Sequence, residues 1–258
     1  MSSLNKIDGP VVIGGVGGSG TRVAAELLKR MGYFMGSSLN SANDNVDFAN
    51  LFFNYNEGTY RSKITVQVID QKLHEFQQRM LRSASLQTSK YTGWGWKNPP
   101  THIYLDYLSH YFSNMKYILV IRNGLDMAYS RNQNQLRNWG RFFRVPLPKS
   151  PALLPRASLT YWVKANRRAI DLGSKLLGDR FIILRYEDLC AHPARELHKL
   201  VNFLNLDLGA VSMNELRSLI VKPASMGRYK HQDLSLFTSK DIASVRQLGF
   251  EVDAQYVP

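Results

Sequence analysis

Five glycines, Gly14, Gly15, Gly17, Gly18 and Gly20, fall within seven positions and follow directly on the β-branched run Val11-Val12-Ile13. A short apolar run ending in glycines reads as a buried strand entering a turn. From Thr21 to Met31, the residues Val23, Ala24, Leu27, Leu28 and Met31 share one helical face, and Gly32 stops the helix. The unit is strand, glycine-rich loop, helix. Glycines let successive backbone N–H groups converge, and the helix start adds its free N–H groups and positive dipole end. Such a loop cradles phosphate. The plain alternative is an empty turn, but so many glycines cost chain entropy without packing anything.

Strands and helices alternate along the rest of the chain. Tyr117–Ile121 and Phe181–Leu184 read as buried strands, and Trp94–Lys97 as a short one. Helical spacing is found at Val66, Ile69, Leu73, Phe76 and Met80, from Leu159 to Leu177, and from Leu197 to Leu204. Gly124–Leu136 reads as one helix and Tyr104–Tyr111 as another. Residues 36–61 hold no period and read as an irregular surface segment. The expected fold is a single α/β domain over residues 1–258. It has three layers, α/β/α, around a central, mostly parallel sheet, like the P-loop NTPases. In such sheets ligands sit beyond the carboxyl ends of the strands.

Composition narrows the partners. Of 258 residues, 33 are Lys or Arg and 20 Asp or Glu, a net charge of +13 that favours anionic ligands. The cations are spread along the chain and no nucleic-acid motif is present, so a basic nucleic-acid-binding protein is the weaker reading. Cys190 is the only cysteine, which excludes an internal disulfide. No signal-like start and no membrane-length apolar run are present, so a cytoplasmic protein is expected. Nothing in the sequence fixes an oligomeric state.

Three nucleotide chemistries use a loop of this kind. Gly15, Gly17 and Gly20 match G-x-G-x-x-G, but the dinucleotide fold also needs a second strand ending in an acid, and Asp44 has no strand before it. An ATP-dependent P-loop kinase needs Lys at Thr21 and Ser or Thr at Arg22, and an Asp after the buried strand where Arg122 stands. The third chemistry accounts for that arginine. Gly17-Gly18-Ser19-Gly20-Thr21 resembles the 5′-phosphosulfate loop of sulfotransferases that use PAPS (3′-phosphoadenosine-5′-phosphosulfate). Arg122, with Ser130 eight residues on, resembles the 3′-phosphate motif of the same family. A guanidinium forks onto a phosphate and a hydroxyl donates to it. Arg185-Tyr186-Glu187-Asp188 and the basic segment Lys222–Lys230 resemble two further family segments, in the expected order.

The resemblance implies transfer of a sulfuryl group from PAPS to a hydroxyl, with release of PAP (adenosine 3′,5′-bisphosphate) and no metal. It implies that Gly17, Gly18, Ser19, Gly20, Thr21, Arg22, Arg122, Ser130, Tyr186, Ser225 and Arg228 contact the nucleotide. Tyr186 is a core or adenine-side aromatic, and Glu187 and Asp188 cap a helix. One departure stands out: many relatives carry Lys or Arg immediately ahead of the loop serine, where this chain has Gly18. Another cation must then meet the leaving oxygen, and Lys97 and Arg22 are the candidates. The general base is sought among Asp44, Asp47, Glu57 and His102, with Asp44 placed ahead of His102. Phe48, Phe52, Phe53, Tyr55 and Tyr60 either line an acceptor cleft or pack the segment down, and Trp139–Arg144 forms a second, basic wall. A carbohydrate or small-metabolite acceptor is expected.

Overall fold

The computed structural model describes residues 9–51, 65–88, 90–207 and 211–253. Glu57, Phe52, Phe53, Tyr55 and Tyr60 lie outside the described residues. Five strands form one sheet: β1 (Val11–Gly14), β2 (Tyr33–Phe34), β3 (Gly93–Lys97), β4 (Lys116–Ile121) and β5 (Phe181–Arg185). Their order is β2-β3-β1-β4-β5 and every pairing is parallel. Val12 sits between Trp96 and Tyr117 in the register, so β1 lies at the centre and its loop emerges mid-sheet.

Side chains alternate across a strand, and here each set meets its own helical layer. Val11, Ile13, Ile118 and Val120 pack with α1 (Thr21–Arg30), α8 (Tyr186–Ala191), α9 (Pro193–Leu204) and α10 (Met213–Ser218). Val12, Trp96, Leu119 and Ile121 pack on the other face with α3 (Val66–Ser85), α4 (Leu105–Tyr111), α7 (Leu154–Leu177) and α11 (Ser239–Gln247). The three-layer α/β/α reading holds.

Three local expectations need correction. Residues 36–61 are not wholly irregular, because α2 (Val46–Leu51) forms there. Buried Asn45 accepts from the Phe48 amide at 2.9 Å, and the Phe48 ring stacks on Trp96 at 4.9 Å. Phe48 therefore packs the segment down and lines no cleft. Asp44 does have a strand before it, contrary to expectation: β2, only two residues long and too short to show a period.

The helix expected over Gly124–Leu136 is two helices, α5 (Gly124–Ala128) and α6 (Asn134–Trp139). Gln133 causes the break. Its side-chain amide donates to the carbonyls of Met127, Ala128 and Ser130 at 3.0, 3.3 and 2.8 Å. A continuing helix would use those acceptors for its own backbone. Ser130 consequently lies in a turn rather than within a helix.

Candidate active site

The glycine-rich loop leaves the carboxyl end of β1 and enters α1. Gly20, the residue before the helix, has φ +98°, and a β-carbon there would overlap the Tyr186 ring. Gly18 has φ +97°, and a β-carbon there would lie 3.4 Å from the Met127 methyl and 3.9 Å from Ser130 Oγ. The loop is therefore shaped from backbone alone, next to Ser130 on one side and Tyr186 on the other. Ser19 is fully buried, and its hydroxyl has no partner among the described residues. A buried orphan hydroxyl inside a cradle of amides fits an anion. Thr21 is buried at the helix start, whereas Arg22 is exposed.

The loop is braced from behind. The Gly15 amide donates to Pro99 O at 3.0 Å, and the Gln135 side-chain amide donates to Gly15 O at 3.0 Å. Gln135 Oε1 accepts from Tyr161 Oη at 2.9 Å and lies 3.1 Å from His102 Nε2. His102 is 1% exposed, and burial lowers its pKa to about 4. It belongs to the scaffold behind the loop, tied to it through Gln135. Sequence reasoning missed Gln135, because nothing in a lone glutamine signals that it faces a loop 120 residues away.

A second group of residues gathers at the end of β4. Arg122 is 5% exposed, and its Nη2 lies 3.2 Å from Ser225 Oγ and 3.4 Å from Asp126 Oδ2. Its guanidinium is 5.9 Å from the centre of the Tyr186 ring, and its Nε has no partner among the described residues. Arg228 Nε donates to Ser225 O at 3.1 Å, and its Nη1 reaches Tyr129 O at 3.5 Å. Burial, then the nearby charge of Arg122, lowers the Arg228 pKa. Two guanidiniums held this close in a part-buried place favour a multiply charged anion between them. Arg122, Ser225, Arg228 and the ring of Tyr186 are thus brought together from three separate parts of the chain.

Residues 10–209 match the model of the sulfotransferase family. The chain belongs to that family. It is a PAPS-dependent sulfotransferase and transfers a sulfuryl group. A solved sulfotransferase from Mycobacterium avium aligns at 13% identity with a TM-score of 0.56, over 96% of this chain and 78% of that one. The sulfotransferase domain of the Synechococcus olefin synthase aligns at 16% identity with a TM-score of 0.53, over 98% of this chain and all of that one. A sulfotransferase from Alicyclobacillus acidocaldarius aligns at 13% identity with a TM-score of 0.53, over 96% and 98%. At these identities the likeness is one of fold. No curated protein sequence compared with the chain matches it.

A third cluster of this sulfotransferase lies beyond β3. Lys97 is 2% exposed, forms an ion pair with Asp44 and donates to Ala42 O at 2.9 Å. The Asp44 side chain is 24% exposed, so it faces inward to Lys97 and outward to solvent. Asn40 steadies it, donating its side-chain amide to Asp44 Oδ2 at 3.1 Å and accepting from the Asp44 amide at 2.9 Å. Burial lowers the Lys97 pKa, the pairing with Asp44 opposes this, and the charge of Arg22 adds to the lowering. Arg22 acts also on Glu26, whose pKa is lowered first by its hydrogen bond from Asn43. Lys97, Asp44 and Arg22 therefore share one neighbourhood.

Asp47 is turned elsewhere and pairs with Arg79 at 3.0 Å. Of the expected basic wall, Trp139 and Phe143 are buried, while Arg141 and Arg144 are exposed. Glu187 reaches from the start of its own helix to that of α5: Oε1 accepts from the Asn123 amide at 2.9 Å, and burial raises the carboxyl pKa. Among the described residues, no His, Cys, Asp or Glu group is arranged to hold a metal ion, and no helix is long and apolar enough to cross a membrane.

Proposed function

We propose that this enzyme transfers the sulfuryl group of PAPS to a hydroxyl of a carbohydrate or small metabolite by in-line displacement, releasing PAP. The observation that carries this reading is buried Arg122 at a strand end, with Ser225 and Arg228 converging on it beside the glycine-rich loop. An ATP-dependent kinase has no use for a cation there, whereas a 3′-phosphate requires one.

The roles follow from position. The amides of Gly17, Gly18, Ser19, Gly20 and Thr21, with the start of α1, hold the 5′-phosphosulfate. The orphan Ser19 hydroxyl donates to it. Arg122, Ser130, Ser225 and Arg228 hold the 3′-phosphate, and the Tyr186 ring flanks the nucleotide. Its hydroxyl is engaged, donating to Val221 O at 3.2 Å, so Tyr186 positions and does not act as an acid.

The donor supplies an activated bond between sulfur and a phosphate oxygen. Its cleavage needs positive charge at the leaving oxygen and a base at the acceptor hydroxyl. Lys97, with Arg22 as the outer cation, supplies the first in place of the residue missing at Gly18. Asp44 supplies the second, since it is solvent-facing and already tied to Lys97. His102 instead braces the loop through Gln135. We place the enzyme in the cytoplasm on its composition, with one cysteine in the whole chain.

Thermal melts with PAP, ATP and NAD, each with and without EDTA, test the donor assignment. Stabilisation by PAP in EDTA is expected; stabilisation by ATP with Mg²⁺ alone would overturn it. Transfer of labelled sulfuryl from PAPS to a panel of sugars and hydroxylated metabolites then tests the acceptor class.

A further inference from the structure

Asp126 stands beside Arg122 at the start of α5. It is 1% exposed, in the first turn of α5, four residues after Arg122. Its Oδ2 accepts from the Gly227 amide at 2.7 Å and lies 3.4 Å from Arg122 Nη2, and its Oδ1 accepts from the Tyr229 amide at 3.2 Å. Gly227 has φ +83°, so the chain turns there and presents its N–H groups to this one carboxylate. The two amides flank Arg228, which reaches the backbone of Ser225.

Tyr229 of this stretch is buried in the core, Met226 packs against the opposite core layer, and Lys230 pairs with Asp253 at 2.8 Å. Lys222, Met226, Gly227, Tyr229 and Lys230 also line a cavity of about 660 Å³, together with Asn123, Arg185 and Glu187. Packing at Met226 and Tyr229 holds the two ends of the turn, and the bonds to Asp126 set the backbone at Gly227 and Tyr229, on either side of Arg228.

We propose that Asp126 is a positioning residue that clamps the Ser225–Tyr229 segment onto Arg122, so that Ser225 and Arg228 are in place for the 3′-phosphate before the nucleotide arrives. The inference rests on the assignment of Arg122 to the 3′-phosphate. It runs against simple electrostatics, because a carboxylate beside a phosphate site repels the ligand. A residue that lowers the local positive charge is retained only if what it holds outweighs that repulsion. Charge-assisted hydrogen bonds to two backbone amides are strong enough to do so.

The two effects have opposite signs, so one substitution separates them. Asp126→Asn keeps one acceptor oxygen and cannot accept from both amides. The dissociation constants of PAP and of adenosine 5′-phosphate are measured by calorimetry for wild type and variant. The clamp predicts PAP binding weaker by about tenfold, adenosine 5′-phosphate unchanged, and faster amide exchange across residues 225–231. It also predicts that the loss shrinks in an Arg228→Ala background, as expected of coupled residues. Tighter or unchanged PAP binding would overturn the clamp and leave Asp126 as a counter-charge to Arg122. Asp126→Glu decides the matter if the amide variant does not fold. It keeps the charge but displaces it by a methylene, so the clamp predicts weaker PAP binding and a mere counter-charge predicts full rescue. Should wild type bind both nucleotides equally, the 3′-phosphate assignment fails instead, and amide exchange at residues 225–231 still decides the clamp.

Discussion

Between pH 7 and pH 4 the unfolded chain takes up a proton at His102 that the folded chain refuses. The ring is buried against Gln135, and desolvation holds its pKa at about 4, against 6.5 for the free side chain. When a basic group is depressed on folding, the unfolded state binds the proton first. Its contribution to stability is intact above pH 6.5, falls as the pH drops from 6.5 towards 4, and changes no further below. At 1.36 kcal/mol per pH unit, the gap corresponds to about 3 kcal/mol, a large share of a typical domain's stability. The perturbation is His102→Gln, which keeps a donor near the Nε2 position and removes the titration. Urea unfolding of both proteins at several pH values between 7.5 and 4 gives the difference in stability. That difference is expected to move against wild type by about 3 kcal/mol as the pH falls. Parallel curves would refute the reasoning, because they would mean that the folded protein accepts the proton. Turnover provides a second check. If His102 only braces the loop, the variant keeps kcat within about tenfold, whereas a loss of about 10²–10⁴ would make His102 the base.

Replacing Arg122 by Ala should weaken PAP by about 1.5–3 kcal/mol in calorimetry and leave adenosine 5′-phosphate nearly unaffected; equal weakening of both would contradict its 3′-phosphate role. Lys97→Met and Asp44→Asn should each lower kcat by about 10²-fold or more with PAP affinity kept, and the double variant should cost far less than the product, because the two side chains form one pair. Gly20→Ala should destabilise the fold by several kcal/mol in urea, since φ +98° and the Tyr186 ring both exclude a β-carbon. Gly18→Lys, which restores the residue found in many relatives, should lower the melting temperature without raising kcat, because φ +97° disfavours any L side chain there.

The strand, loop and helix of the donor site were legible because each is local. Val11–Ile13, the glycines and the apolar face of α1 sit within about twenty residues, and strand and helix periods need no tertiary information. Arg122 was legible for the same reason, standing at the end of a five-residue apolar run. What stayed hidden was long-range or made by single polar side chains. Gln133 stops a helix by capturing three carbonyls, and the apolar spacing of residues 124–136 carries no trace of that. Gln135 reaches the loop, and Asp126 reaches residues 227 and 229, across more than 100 positions. Phe48 was ambiguous as an aromatic in a polar stretch, and only its stack on Trp96 decides that it is core.

Gly18 illustrates how the loop and the rest of the site depend on one another. On sequence it is a missing cation. In the structure it is one of two loop residues besides Gly15 with positive φ, lying against Met127 and Ser130. A lysine there would need a different backbone, so the loop cannot regain its cation by side-chain exchange alone. A cation from the end of β3 avoids the conflict, because β3 pairs directly with β1 and Lys97 stands opposite Ile13, one residue before the loop begins at Gly14. Burial by itself would favour neutral Lys97. The bond to Asp44 opposes that, so in the proposed reaction the base and the leaving-group cation are not independent. Asp44 accepts the acceptor's proton only as its hold on Lys97 weakens, and Lys97 is freed for the leaving oxygen at that same stage. This coupling is why the double variant at these positions, rather than either single one, is the informative measurement.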